Sequence, residues 1–360
     1  MSDVAEHFEF GVIQQANIPD CLRIAVANFE AFKQHPDYIQ QWFERRVLHN
    51  PWQSALPGCG VGVWQNQELI GFRAMFAQPW CLNGQSTVVA FCANTSIEER
   101  LRGKGLATNV IEHSRDFAAV TGSTTAGNIT QKAYKKLGYA EIGGSDNDFF
   151  RLRIGYRGSW QKRAGQTLGG MLGSLFDINL RLRHFKLRSA GFTLEEVLHC
   201  DAEFDQLWER AKPGYVSCLE RSSQYLNWRL FDYQTCPLRL LALRDSAGVL
   251  RAYAIWHQQD FSASVSMAVL RDVFYPLDDE PALRSLFYHL FAYWRENGIS
   301  WGSLEVASPQ LTSLFRSQGY EALSSHGNRY QIYSQQPLAD KVLQGWYRSG
   351  IDGDYFDYPL

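Results

Sequence analysis

Long apolar runs are absent from this 360-residue chain. No stretch approaches the ~18 uninterrupted apolar residues of a membrane-spanning helix. The opening MSDVAEHFEFG carries acidic groups where a secretory signal needs an apolar core. Both features argue against secretion and membrane spanning. Charge of one sign is missing too, since 35 Lys and Arg stand against 37 Asp and Glu, a formal net charge of -2. That balance leaves no global field for nucleic acid, so no such partner is expected. Seven cysteines (Cys21, Cys59, Cys81, Cys92, Cys200, Cys218, Cys236) are scattered, with no CxxC pair and no histidine at ligand spacing. They read as free thiols of a reducing, cytoplasmic compartment, with no metal.

What is present is organised by one stretch, Ile97 to Ala107, IEERLRGKGLA. Before it, QSTVVAFCANT is β-branched and apolar at its centre and reads as a strand. After it, TNVIEHSRDFAAV has helical periodicity. Glycines between strand and helix leave amide N–H groups free to face one anion, and the helix dipole favours the same charge. A phosphate or pyrophosphate ligand follows, the alternative being a tight basic turn that caps a surface helix.

Around this turn the chain reads in order as a strand (EFGVIQQ), a helix over 19–32, and an aromatic helix and loop over 35–57. Three strands in meander follow (GVGVWQN, ELIGFRAMFAQPW, GQSTVVAFCANT), then the helix over about 104–120 stopped by Gly122. A short strand STTAGN, the helix of ITQKAYKKLGY and a closing strand FFRLRIG complete a first domain, 1–154. Residues 155–194 read as a linker with a basic amphipathic part, whose basic side is a candidate for membrane or nucleic-acid contact against a plain solvated connection.

Over 195–360 the same order recurs, with Gln318-Gly319-Tyr320 where the first copy has Leu137-Gly138-Tyr139. The turn differs: YPLDDEPALR places Asp278, Asp279 and Glu280 where the first copy has ERLRGKGLA. Those acids suit a helix cap and repel a polyphosphate, so only the first copy is expected to hold an anion.

Arg100-x-x-Gly103-x-Gly105, continued by Leu106-Ala107, together with Asn128, Tyr134, Gly138 and Tyr139 in NITQKAYKKLGY, resembles two motifs of the GCN5-related N-acetyltransferase superfamily. The resemblance covers residues 9–154. The second half is similar to a divergent, FemAB-like domain of tandem bacterial proteins encoded with surface-polysaccharide and protein-sorting systems, through QYLNWRL and the acidic tail WYRSGIDGDYFD. The fold implied is α+β: two tandem acyltransferase-type domains, each a mixed, mostly antiparallel sheet flanked by helices.

The resemblance further implies an acyltransferase using acetyl-CoA or another acyl-CoA, with a small-molecule, sugar or amino-acid amine as acceptor, and a homodimer as a candidate assembly. The pyrophosphate would lie on the amides around Leu101, Arg102, Gly103, Lys104, Gly105, Ala107 and Thr108. Asn128 and Lys132 would assist on the following helix. Backbone from Phe91 and Cys92 to Ala93 and Asn94 would face the thioester, and Tyr134 matches the general acid for the sulfur. The strand VVAFCANT lacks the carboxylate that many relatives use as general base. That leaves water, His35, His49 or Glu30 as candidates, with Cys92 as a candidate nucleophile. A FemAB-type aminoacyl transferase and a non-catalytic acyl-CoA sensor remain as alternative readings.

Overall fold

The computed structural model describes residues 7–124, 126–142, 148–232, 237–262, 265–304, 308–324 and 330–353. In chain order the first elements are β1 (Glu9–Ile13), α1 (Ile18–Asn28), α2 (Glu30–Gln34), α3 (Pro36–Phe43), β2 (Gly60–Gln65), β3 (Glu68–Leu82) and β4 (Gln85–Ile97). Next come α4 (Leu106–Ser114), β5 (Val120–Ser123), α5 (Asn128–Lys136), β6 (Ala140–Ile142) and β7 (Asp148–Arg153). The chain continues through α6 (Arg157–Ala164), α7 (Gln166–Phe185), β8 (Phe192–Val197), α8 (Ala202–Ala211), β9 (Ser217–Leu219) and α9 (Ser223–Leu230). It ends with β10 (Arg239–Asp245), β11 (Leu250–Ser262), β12 (Val265–Phe274), α10 (Glu280–Glu296), β13 (Trp301–Leu304), α11 (Pro309–Ser317), β14 (Ala322–Ser324), β15 (Tyr330–Ser334) and α12 (Asp340–Gln344).

These elements form two compact units, each an α+β arrangement with one mixed, mostly antiparallel sheet flanked by helices. The first comprises Met1–Gly144, Asn328–Trp346 and Asp352–Leu360; the second comprises Ser145–Gly327 and Tyr347–Ile351. The first sheet runs β1-β2-β3-β4-β5-β15-β6, with β4 and β5 parallel. The second runs β14-β7-β13-β12-β11-β10-β8, with β12 and β13 parallel.

The two sheets exchange one strand. FFRLRIG, expected to close the first sheet, instead pairs as β7 with β13 and β14, and the corresponding slot between β5 and β6 is taken by β15. Both strands are short and carry apolar residues at every second position, and Phe150 and Leu152 are as deeply buried in one sheet as Ile332 is in the other. Alternation fixes which face of a strand goes inward, and leaves open which of two similar slots it fills.

Two further expectations shift. The helix expected over about 104–120 is the shorter α4 followed by a 3-10 turn, and the strand expected at STTAGN lies earlier, at β5. Gly122 sits inside that strand and does not stop the helix. A Cβ there would meet Ile332 Cδ1 at 2.8 Å, so the missing side chain admits the neighbouring strand. Residues 155–194 contain α6 and α7, both in the second unit.

In that unit His184, on α7, is fully buried. Its Nδ1 accepts from Arg295 at 2.7 Å, and its Nε2 lies 2.8 Å from the Tyr320 hydroxyl. Burial, then Arg295 and Arg183, bring its pKa down to about 3, and burial with Arg271 brings His257 down to about 4, both from 6.5. Both rings are therefore neutral in the fold and protonate first in the unfolded chain. Their contribution is complete above pH 6.5 and drains away as pH falls through 6.5 toward 4 and 3. Urea unfolding at pH 7 and pH 5 should show a loss on the order of a few kcal/mol, reduced in His184→Gln; equal stability at both pH values would contradict it.

Candidate functional site

The turn between β4 and α4 has the geometry its glycines permit. Gly103 (φ +84) and Gly105 (φ +80) are left-handed, and α4 begins immediately after Gly105. A Cβ built at either glycine would meet nothing within 4 Å, so space lies in front of both. First-turn amides of a helix have no intrahelical acceptor, which makes this end an anion seat. Leu101 and Leu106 are buried and anchor the turn to the core holding Met75, Ala90 and Val110, while Arg102, Lys104 and Ala107 are exposed and Thr108 is half-buried.

The approach to the turn is braced by side chains. Arg100 Nε donates to Glu98 at 2.9 Å, and Arg23 donates to the other oxygen of the same carboxylate at 2.9 Å. Arg102 donates to Asn28 Oδ1 at 2.5 Å, and Asn28 Nδ2 in turn donates to the Ile97 carbonyl at 3.0 Å. Part of the basic character of the motif therefore fixes the turn.

One step back along β4 the sheet opens. Among the described residues β4 pairs with β5 through Ala90 and Phe91 alone, and β5 ends at Ser123 while β4 runs on to Ile97. On its other side β4 slips register against β3 between Phe72 and Ala74, which pair with Ser96 and Ala93. Asn94 lies in this irregularity with φ +52, the left-handed conformation that Asn tolerates better than most residues. Cys92 and Ala93 are buried beside the opening.

Tyr134, on α5, lies beneath this part of the sheet and is fully buried. Its hydroxyl accepts from Arg73 Nη2, while Arg73 Nη1 donates to Thr95 Oγ1 at 2.8 Å. The guanidinium also sits 5.2 Å from the centroid of the Tyr134 ring. Burial raises the pKa of the phenol, and Arg73 pulls the other way. Tyr139, 4.5 Å away between ring centroids, is pushed up to about 12, chiefly by burial.

Arg73 is the residue that the motifs did not single out. It is 1% exposed, its Nε has no hydrogen-bond partner, and among the described residues no carboxylate pairs with it. The available signal was a single arginine in the middle of the mostly apolar strand ELIGFRAMFAQPW.

The other sequence candidates are dispersed. Asn128 and Lys132 are on α5, Lys132 exposed. Glu30 pairs with Lys33 at 3.4 Å on an open surface, His35 stacks on Tyr38, and His49 is exposed. Cys92 is packed in the core with Met75 and Leu106. Six of the seven cysteines are free and buried, and Cys236 lies outside the described residues. The end of the acidic tail, from residue 354 on, lies outside them as well. Among the described residues no helix is long and apolar enough to cross a membrane, and no cluster of metal-ligating side chains occurs.

No family model and no curated protein matches the chain. Solved structures do. It is similar to a GCN5-related N-acetyltransferase from Anabaena variabilis (19% identity, 91% of this chain and 72% of that one, TM-score 0.59). Another from Kribbella flavida gives 14% identity, 93% and 72% coverage, and a TM-score of 0.60. The fold is that of the GCN5-related N-acetyltransferases. The Saccharomyces cerevisiae N-myristoyltransferase with bound myristoyl-CoA is also similar, at 10% identity, with 92% of this chain and 84% of that one covered and a TM-score of 0.51. The acetyltransferase-type fold thus spans both units.

Proposed function

We propose that the chain is an acyltransferase that moves an acetyl or other acyl group from acyl-CoA to an amine. The observation that carries this reading is that one unit holds the left-handed glycine turn at α4, a β4 that runs on past its last pairing with β5, and the buried Tyr134. The residues present fit such a donor: open space faces Gly103 and Gly105, and an orphaned guanidinium nitrogen of Arg73 lies beside the phenol.

The amides from Leu101 to Thr108 would hold the pyrophosphate, with Asn128 and Lys132 on its flank. An acyl-CoA would supply the activated thioester. Backbone N–H groups of the Cys92–Asn94 segment would polarise its carbonyl, and a fixed donor in a dry site favours the developing negative charge. As the C–N bond forms and the C–S bond breaks, Tyr134 would hand its proton to the sulfur. Arg73 would hold the phenol oxygen in place and offset the charge left behind. The proton of the acceptor amine would leave through water, since no carboxylate stands on β4.

A Glu at position 103 tests the first step. It places a side chain in the open space, imposes it on a left-handed backbone and puts negative charge at the helix N-terminus. Calorimetric affinity for CoA should fall at least about tenfold, some 1.4 kcal/mol, and by less in Gly103→Ala; unchanged affinity for Gly103→Glu would sink the phosphate assignment. Thiol release from acetyl-CoA over a panel of amines tests the second step, and binding without turnover on any acceptor would favour a sensor. An aminoacyl-tRNA donor held by the second unit is disfavoured by Asp279, which caps α10 through Ala282 N at 3.1 Å.

A further inference from the structure

The 20-residue helix α7 is turned inside out. The face it gives to its own unit is small or polar: Gly169, Gly170, Gly173, Asp177 and His184, with Leu180 the one large aliphatic residue among them. Glycine is required there because α6 lies against it. A Cβ at Gly169 would meet the Trp160 carbonyl oxygen at 2.2 Å, and one at Gly173 would meet Arg157 Cα at 2.4 Å. The opposite face carries Leu168, Met171, Leu175, Ile178, Leu182 and Phe185 at alternating spacings of three and four. Each is at least half exposed, from Ile178 at 50% to Met171 at 66%. A helix normally puts its apolar stripe on the core and its polar face in water. Here close packing uses glycines, and the stripe is left over about 30 Å of helix.

Within the segment that carries the stripe, the exposed charges all have one sign. Between Gly155 and Gly191 stand seven basic residues, Arg157, Lys162, Arg163, Arg181, Arg183, Lys186 and Arg188, all exposed, in a chain whose formal net charge is -2. The single acid of the segment, Asp177, is buried and accepts from Tyr156 N at 2.6 Å. Arg181 adjoins Leu182 on α7, Lys186 follows Phe185 at the helix end, and the Arg188 guanidinium lies 5.6 Å from the centroid of the Phe185 ring. A second copy of the same helix would bring like charges together without the acidic flanking residues that paired helices use. An anionic bilayer surface answers both features, taking the apolar side chains below the headgroups and the arginines and lysines at their level.

We propose that the exposed face of α7 docks this protein on an anionic lipid surface, the helix lying in the plane of the membrane. Phe176 widens the stripe on one side, stacked on Trp160 of α6 at 5.6 Å.

Flotation of the full chain tests this, using vesicles of phosphatidylcholine alone and of phosphatidylcholine mixed with phosphatidylglycerol. The chain should float with the mixed vesicles and bind phosphatidylcholine alone at least about tenfold more weakly, with added salt reducing the difference. Leu175→Gln with Leu182→Gln should abolish flotation while leaving the thermal melt unchanged, because both side chains are exposed. Neutralising Arg181 and Lys186 as glutamines should weaken binding about fivefold per residue. Absence of flotation, or equal binding to both vesicle types, overturns the proposal. So does a dimer in light scattering that the Leu175→Gln, Leu182→Gln protein no longer forms, since the stripe would then belong to a second copy.

Discussion

Turnover by Tyr134→Phe is expected to fall roughly 10²- to 10⁴-fold, the range of a positioned general acid, while affinity for CoA stays at the wild-type value. The physical case rests on the surroundings of the phenol. Burial keeps Tyr134 protonated at neutral pH, and Arg73 restrains that shift by favouring the ionised form. The group therefore holds a proton when the reaction needs one, beside a cation that can accommodate the charge after donation. Being raised above the ordinary phenol value, it is deprotonated only at alkaline pH, so the wild-type rate should decline there and the Phe variant should lack that limb.

The same substitution also leaves Arg73 Nη2 without its acceptor, a buried donor worth about 1–3 kcal/mol in lost stability. Urea unfolding measures that cost separately. Should the rate fall no further than the folded fraction does, or should CoA affinity fall with it, Tyr134 would be a packing residue and the acid assignment would go.

How much of this could be seen beforehand differs by element. The meander of β2, β3 and β4 was legible because each strand is a run rich in apolar and β-branched residues closed by an Asn-bearing turn, with Asn66 and Asn83 at φ 51 and 50. The α4 turn was legible because left-handed backbone calls for glycine, and Gly103 and Gly105 stand where strand gives way to helix. The cap of α10 followed from Asp279. The exchange of β7 and β15 was hidden, since DFFRLR and YQIYS carry the same period and the choice between slots lies in contacts remote in sequence. Arg73 was hidden for another reason: its role comes from Tyr134, 61 residues away, and no local pattern links the two. For α7 the spacing of apolar residues was visible in the sequence, but its meaning was not. Only the glycines packed on α6 show that the apolar stripe faces out.

In the second unit a buried ion pair stands beside β12, and its removal should have the other large effect. Along β12 the chain's own residues Tyr347–Ile351 line the strand: Gly350 N donates to the Arg271 carbonyl at 2.5 Å and the Tyr347 hydroxyl to that of Val273. Beside them Arg221 grips Asp272 with two hydrogen bonds of 2.9 and 3.0 Å, both side chains fully buried. Asp272 also accepts from the Tyr253 hydroxyl at 3.3 Å, and Arg221 donates to the Leu219 carbonyl at 2.5 Å. Asp272→Asn removes the carboxylate charge that Arg221 grips in a dry interior, so the unit should lose about 3–5 kcal/mol in urea unfolding. Arg221→Met combined with Asp272→Leu should recover most of it, because apolar groups of similar volume need no partner. CoA affinity should survive both changes, because the proposed donor site lies in the first unit. A loss below about 1 kcal/mol in Asp272→Asn, the range of an exposed pair, would mean that water reaches the arginine and that this part of the second unit is still open.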